Sequence, residues 1–322
     1  MSILKKTLLL FSAILLTIGV MAQSVEEAGA KYNEGNNYYK EKDYSNAITS
    51  YNEALSITNE VGADAADLQG SIEKQLLNAT YSLGKGQYKA RKFDAAIATF
   101  EKSFALAEQL GDDSKKKNSK SYIAKVRTSK GGALLKENKI ETAIAEYIMA
   151  TEISPKYYKA YYGMVQAYKA QGNMTEMMLN ADKVLELTEG NAKAEKTIKK
   201  TKSTASKSLV NAGAKEIQKE NGKKAIEYIN SSFIYAPGNE KAYYYLSLAY
   251  GKEKNWDDAI ASAKKAISLE PEKDKSEIYF SLGQSYEGKS DTENACKAYK
   301  SVTSGPNVES AKYQITQVLK CN

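Results

Sequence analysis

Apolar side chains recur along this chain every three or four residues, the spacing that gathers them on one face of a helix. Between residues 240 and 273 the pattern is complete. Tyr243, Leu246 and Tyr250 mark one helical stripe, and Trp256, Ala259, Ala263 and Ala266 mark a second, closed by Pro271. Alanine followed by isoleucine returns at the same phase in Ala47-Ile48, Ala96-Ile97, Ala143-Ile144, Ala225-Ile226 and Ala259-Ile260. A large aromatic follows the alanine by four in Tyr51, Phe100 and Tyr147. The four prolines each follow such a stretch: Pro155, Pro237, Pro271 and Pro306, the last three separated by 34 and 35 residues. Self-similarity at a fixed period predicts a solenoid of stacked helical hairpins.

The markers have a physical basis. A small alanine lets two helices approach, and a large residue one turn later fills the space beside it. Proline closes the second helix because it cannot continue it. The order large residue, Leu, Gly, aromatic, Ala, aromatic, Ala, Pro resembles the tetratricopeptide repeat (TPR), a 34-residue helix–turn–helix. Aligned on the alanine, the resemblance implies seven units, at 28–61, 77–110, 124–157, 158–191, 206–239, 240–273 and 276–309. It therefore implies an all-α, right-handed superhelical solenoid.

Gly35, Gly84, Gly131, Gly213 and Gly283 fill the family's glycine position, whereas units four and six carry Val165 and Ser247. Unit four also has Met177 where alanine is expected, which predicts less close packing of its helices. Intervals 62–76, 111–123 and 192–205 break the period without a proline. They predict a lengthened first helix in units two, three and five, with a separate short helix as the alternative. Residues 308–320 read as an amphipathic capping helix with Ile315, Val318 and Leu319, the cover a solenoid's last apolar face needs.

Composition narrows the function. Of 322 residues, 42% are hydrophobic and 26% charged, which excludes both a multi-span membrane protein and a largely disordered chain. Histidine is absent, so the usual general base and commonest metal ligand are missing. The chain has no GxSxG, phosphate-binding glycine loop, CxxC or HExxH. A non-enzymatic protein without cofactor or metal is expected. Asp112-Asp113 and Asp257-Asp258 read as structural acids, the second pair suiting a helix N-terminus.

Residues 1–22 have the pattern of an export signal. Lys5 and Lys6 precede an apolar run of 14 residues, and Val20-Met21-Ala22 supplies a small-residue cleavage site after Ala22. The run is short for a membrane span of about 20 residues, so no stable span is expected after cleavage. The expected location is periplasmic or secreted. Losing Lys5 and Lys6 lowers the formal charge from +7 to +5, with 44 basic against 39 acidic side chains. That is too weakly basic for a nucleic-acid binder.

The two cysteines sit at telling places. Cys296 follows the alanine of unit seven, and Cys321 ends the cap. Antiparallel packing would bring these ends together, so a disulfide is one reading; a buried Cys296 with a loose Cys321 is the other.

The aromatic balance is the strongest functional signal: 24 tyrosines against six phenylalanines and one tryptophan. In the TPR family the first helix of each unit lines a concave groove. Carrying over its fifth position gives Tyr32, Tyr81, Thr128, Tyr162, Val210, Tyr244 and Phe280. Neighbouring groove positions add Asn36, Tyr39, Lys85, Tyr88, Lys159, Gln166, Lys169, Lys241, Tyr245 and Gln284. Tyrosine brings large contact area, a hydroxyl and few rotors, and interleaved lysines favour acidic segments. The family's clamp for a terminal carboxylate is mostly missing, since unit one offers Tyr32 and Asn36 and unit three offers Lys125 and Ser129. The run Lys193, Lys196, Lys199, Lys200, Lys202 and Lys207 reads first as a solvated face and second as a docking face for an acidic partner or anionic head groups. The expected function is a scaffold of the cell envelope that binds a protein, peptide or complex subunit in a tyrosine-rich groove. The alternative is a glycan- or peptidoglycan-binding module that uses the same rings.

Overall fold

The computed structural model describes residues 24–269 and 274–321. The expected export segment and Pro271 lie outside them. Among the described residues every regular element is helical. The chain forms two compact bodies, up to Ala160 and from Tyr161, and the division falls inside α7.

In the first body α1 (residues 24–40) pairs with α2 (Tyr44–Val61), α3 (Ala66–Lys89) with α4 (Phe93–Gln109), and α5 (Asp113–Lys136) with α6 (Ile140–Ile153). The second body contains α7 (Tyr158–Gln171) from Tyr161 onward, α8 (Met174–Leu187), α9 (Glu195–Gln218), α10 (Gly222–Ser232), α11 (Glu240–Lys252), α12 (Trp256–Ser268), α13 (Ser276–Gly288), α14 (Thr292–Lys300) and α15 (Val308–Tyr313). Within each body, helices pack on their neighbours in chain order.

The repeat markers do what their sizes allow. Ala47, Ala96, Ala143, Ala225, Ala259 and Ala295 are wholly buried in second helices. Each glycine at the repeat's glycine position in the first helices forms a socket for a side chain of the second. A Cβ added at Gly35 would lie 2.6 Å from the Tyr51 ring, at Gly131 2.8 Å from Tyr147, and at Gly283 2.6 Å from Tyr299. Gly84 faces Phe100, and Gly213 faces Ile229. Where the glycine is missing, the opposing residue shrinks. Val165 is matched by Ala181 in the same core cluster, and the repeat position opposite Ser247 holds Ala263. Met177 is likewise fully buried against Val165, Leu209 and Tyr235, so its larger side chain is absorbed into the core.

The turn inside every hairpin is built one way. In all seven, the N–H at the second helix's N-cap reaches back to the carbonyl five residues earlier, at 2.8–3.0 Å, as in Asp43 to Tyr38 and Asp291 to Tyr286. This is the Schellman arrangement, which puts the preceding residue in the left-handed region. Lys42, Arg91, Asn138, Glu220, Lys254 and Ser290 adopt φ between 56° and 64° there, and unit four uses Gly172. The next residue caps the second helix. Asp43, Asn173, Asn221 and Asp291 each accept from a backbone N–H three residues on.

Lys139 holds the same backbone geometry (φ −90°, ψ 68°) but makes no side-chain cap bond. Lys139→Asn is therefore expected to stabilise the first body by about 1 kcal/mol, read as a raised urea midpoint with unchanged slope. An unchanged midpoint would show that α6 is already capped from elsewhere.

Prolines 155, 237 and 306 occupy turns after α6, α10 and α14. The extra intervals are taken up mostly by length. The helices α3, α5 and α9 are each 24 residues, two of them entered through 3₁₀ turns at Gly62–Ala65 and Ala192–Ala194.

The cap departs from the expected regular helix over 308–320. It is α-helical only to Tyr313, and Gln314–Val318 is wound as a π-helix. The Leu319 N–H bonds the Gln314 carbonyl, the Cys321 N–H bonds the Ile315 carbonyl, and Lys320 at φ 49° turns the chain back. The end of the cap thus meets α14, where Cys321 is bonded to Cys296 with Cα atoms 5.8 Å apart. Ile315 and Leu319 pack on the last core cluster, whereas Tyr313 and Val318 face outward.

Candidate functional site

In the first body, α3 carries Tyr81, Lys85 and Tyr88 at i, i+4 and i+7, hence on one face. The long α5 lies beside it and supplies Tyr122, a residue outside the repeat template. The Tyr122 ring lies 5.6 Å from Tyr81 and 6.5 Å from Tyr88, edge-on to both, and stacks on the core residue Phe100 at 4.8 Å. The Tyr88 hydroxyl is 2.9 Å from the Ser129 hydroxyl. All three tyrosines are half-buried.

Three ammonium groups border these rings. Lys115 Nζ sits 4.6 Å and Lys85 Nζ 5.8 Å from the Tyr81 centroid, and Lys125 Nζ lies 5.2 Å from Tyr122 and 5.4 Å from Tyr88. Burial lowers the Lys115 pKa; Asp112 opposes that shift and Lys85 adds to it. Beyond Tyr88 a shallow cleft of about 350 Å³ opens between Arg91, Phe93, Ser129 and Lys136.

The α1 residues are drawn more into the packing. Tyr32 lies against Tyr51 at 5.9 Å, and Tyr39 is edge-on to Tyr44 at 5.4 Å. Asn36, expected to face a ligand, accepts from the Tyr51 hydroxyl at 2.8 Å and so serves the core. Burial, with smaller effects from Tyr32 and Tyr39, pushes the Tyr51 hydroxyl up to about 12. Lys159, at the start of α7, is exposed.

In the second body, Tyr162 is half-buried and its hydroxyl pKa is raised by that burial. Gln166 Nε2 donates to the Thr204 hydroxyl at 3.5 Å. Lys169 is exposed beside a cleft it shares with Lys215, Lys219 and Tyr228. Tyr244 and Tyr245 stack at 5.5 Å with planes 27° apart, and Lys241 Nζ lies 5.5 Å over Tyr245. Burial first, then Glu277 and Tyr245, pushes the Tyr244 hydroxyl up to about 12. Phe280 turns towards the core, 5.6 Å from Tyr299, and Gln284 is exposed.

The cleft beside the stacked pair has a volume of about 530 Å³ and is lined also by Glu240, Asp274, Glu277 and Ser304. It is richer in carboxylates than the interleaved lysines suggested, because two of its acids come from the turn into α13 and its first residues. Val210, at the template's groove position, is 2% exposed and packs with Ala242 and Leu246, so that position is core in α9. The lysines of the basic run on α9 are exposed, and Lys199 is paired with Glu195 at 2.8 Å.

Other candidates resolve structurally. Asp112 caps α5 by accepting from the Lys115 N–H at 2.8 Å, and Asp257 pairs with Lys289. Among the described residues no cluster of His, Cys, Asp or Glu is arranged to hold a metal, and no helix is long and apolar enough to cross a membrane.

Two tetratricopeptide-repeat family models match the chain, one at residues 240–273 and the other at 28–60 and 276–304. No curated protein sequence matches it. Solved structures similar to it include MamA from Desulfovibrio magneticus RS-1, at 22% identity over 56% of this chain and 92% of that one, with a TM-score of 0.36. YrrB, described as a TPR protein with an unusual peptide-binding site, is 19% identical over 55% of this chain and 83% of that one, with a TM-score of 0.36. The TPR2AB domain of yeast Sti1, in complex with pHSP90, is 17% identical over 92% of this chain and 93% of that one, with a TM-score of 0.31. This chain carries tetratricopeptide repeats, recognised at residues 28–60, 240–273 and 276–304.

Proposed function

We propose that the protein is a non-enzymatic interaction scaffold whose first helices hold an extended peptide or a segment of a partner subunit against tyrosine rings. One observation carries the reading. Tyr81, Tyr88 and Tyr122 gather on neighbouring helices and stay half-exposed, with cations at their rim. Buried hydroxyl-bearing rings with few rotors are what interface hot spots use. Among the similar structures, YrrB has a peptide-binding site, which agrees with this use of stacked hairpins.

Export to the periplasm or beyond, as part of an envelope assembly, belongs to the same proposal. It is supported by the charge and apolar pattern of residues 1–22 and by the disulfide, a bond typical of oxidising compartments.

The cleft at Tyr244 and Tyr245 favours a second reading. Stacked rings surrounded by Asp274, Glu277 and Ser304 also suit the faces and hydroxyls of a sugar.

The test is capture from envelope extract by the wild-type chain and by a variant with Tyr88→Ala, Tyr122→Ala and Tyr245→Ala, both checked by circular dichroism. The variant is expected to retain at least about tenfold less of the captured protein. Equal retention would overturn the groove. Loss of sedimentation with cell-wall polymer, in place of loss of a protein, would favour the sugar reading.

A further inference from the structure

The lysines around the first body's tyrosines differ from their neighbours on the same helix. On α5, Lys116 pairs with Glu108 at 2.6 Å, and Lys130 pairs with Asp94 at 2.6 Å and Glu146 at 2.7 Å. Lys115 and Lys125 on α5, and Lys85 on α3, form no ion pair among the described residues. Each instead points its ammonium at an aromatic face. Asp112 acts on Lys115 through its charge and accepts the Lys115 backbone N–H, but forms no ion pair with the ammonium.

Holding these cations together without ion pairs is unfavourable for the free protein even with Asp112 offsetting part of the cost at Lys115, and Lys115 is further desolvated against Tyr81. A ligand that brings negative charge relieves that cost. The rings between the ammoniums require apolar or planar groups in the same ligand, spaced to lie between its charges. Free inorganic anions do not meet that second condition. An extended peptide does, since its side chains alternate at fixed spacing.

We infer that the α3–α5 face of the first body is a binding site for an acidic peptide segment. Its carboxylates lie against Lys85, Lys115 and Lys125, and its apolar side chains lie on Tyr81, Tyr88 and Tyr122. The site deepens the scaffold reading and rests on it. It differs from a terminal-carboxylate clamp because two of its six residues, Lys115 and Tyr122, belong to the inserted turns of α5 and have no place in the repeat template.

The test uses the full chain and fluorescence anisotropy, with a short labelled peptide alternating glutamate and phenylalanine as probe and a glutamine-for-glutamate peptide beside it. The glutamate peptide is expected to bind about tenfold more tightly, with a Kd that rises steeply with salt. Lys85→Gln with Lys125→Gln, both exposed positions, should weaken it about fivefold or more, and Lys115→Gln should do the same. Lys207→Gln, on α9 of the second body, should leave it unchanged.

If the glutamine peptide binds as well as the glutamate one, the charge reading is overturned while peptide docking on the rings stands. If neither binds, both readings fail for this face. If heparin displaces the probe and shows the same lysine dependence at higher affinity, the face is a polysaccharide surface and the acidic-peptide assignment is wrong.

Discussion

Glu146→Ala will destabilise the first body by about 3 kcal/mol, the low end of what breaking a buried ion pair costs. The Glu146 side chain is 6% exposed on α6, and its two oxygens are held by Arg127 at 3.1 Å and Lys130 at 2.7 Å, both from α5. Removing the carboxylate leaves two cations facing a buried site. They are 17% and 24% exposed, so water relieves part of the penalty, and Lys130 keeps Asp94 while Arg127 keeps Glu101 at 3.6 Å. That partial relief sets the low end of the range.

The contrast lies in replacing the group as a whole. Glu146→Leu with Arg127→Met should recover most of the loss, because a buried pair exchanged for apolar groups of similar size is close to neutral. Urea unfolding of the three proteins measures this. A double variant as unstable as Glu146→Ala would mean that the carboxylate makes a contribution the surrounding apolar packing cannot replace.

Gly131→Val and Tyr147→Ala are each expected to be costly alone and to compensate each other. The valine would press on a ring whose atoms stand 2.8 Å from the new Cβ, an overpacking cost of about 2 kcal/mol. Truncating Tyr147, which is 3% exposed, leaves a cavity worth about 3–4 kcal/mol. Together, the branched side chain fills part of the space the ring vacated. The double variant should then be more stable than Tyr147→Ala, with a coupling of at least about 1 kcal/mol. The chain already contains the exchanged arrangement in Val165 with Ala181. Simple additivity would show that glycine and ring are not a matched pair.

Much of the fold could be read from sequence because the repeat exposes its own rules. Alanine, proline and aromatic fall at fixed phase, and each marks an element whose burial depends on size alone. What the period does not show is which marker touches which. Gly35 and Tyr51 are separate signals in the sequence, and only folding reveals one as the socket of the other.

The candidate site was less legible for a related reason. A template position identifies a place on a helix but not its neighbours. Val210 occupies a groove position yet is buried because α11 packs over it, and Asn36 is occupied by the Tyr51 hydroxyl. Tyr122 and Lys115 lie in turns that the template skips, and the acids Asp274 and Glu277 enter their cleft from the start of a repeat. The π-wound end of the cap had no sequence signal at all. It is built by a chain reversal at Lys320 that returns Cys321 to Cys296.

The most direct test of the scaffold is site-specific photo-crosslinking in the source cells. A photoreactive phenylalanine analogue would replace Tyr88, Tyr122 or Tyr245 on first helices, or Leu179, which is 59% exposed on the second helix α8. A scaffold that works through its tyrosine face gives a discrete protein adduct from one or more of the tyrosine positions and none from Leu179. Adducts confined to Leu179, with the tyrosine positions silent, would contradict it.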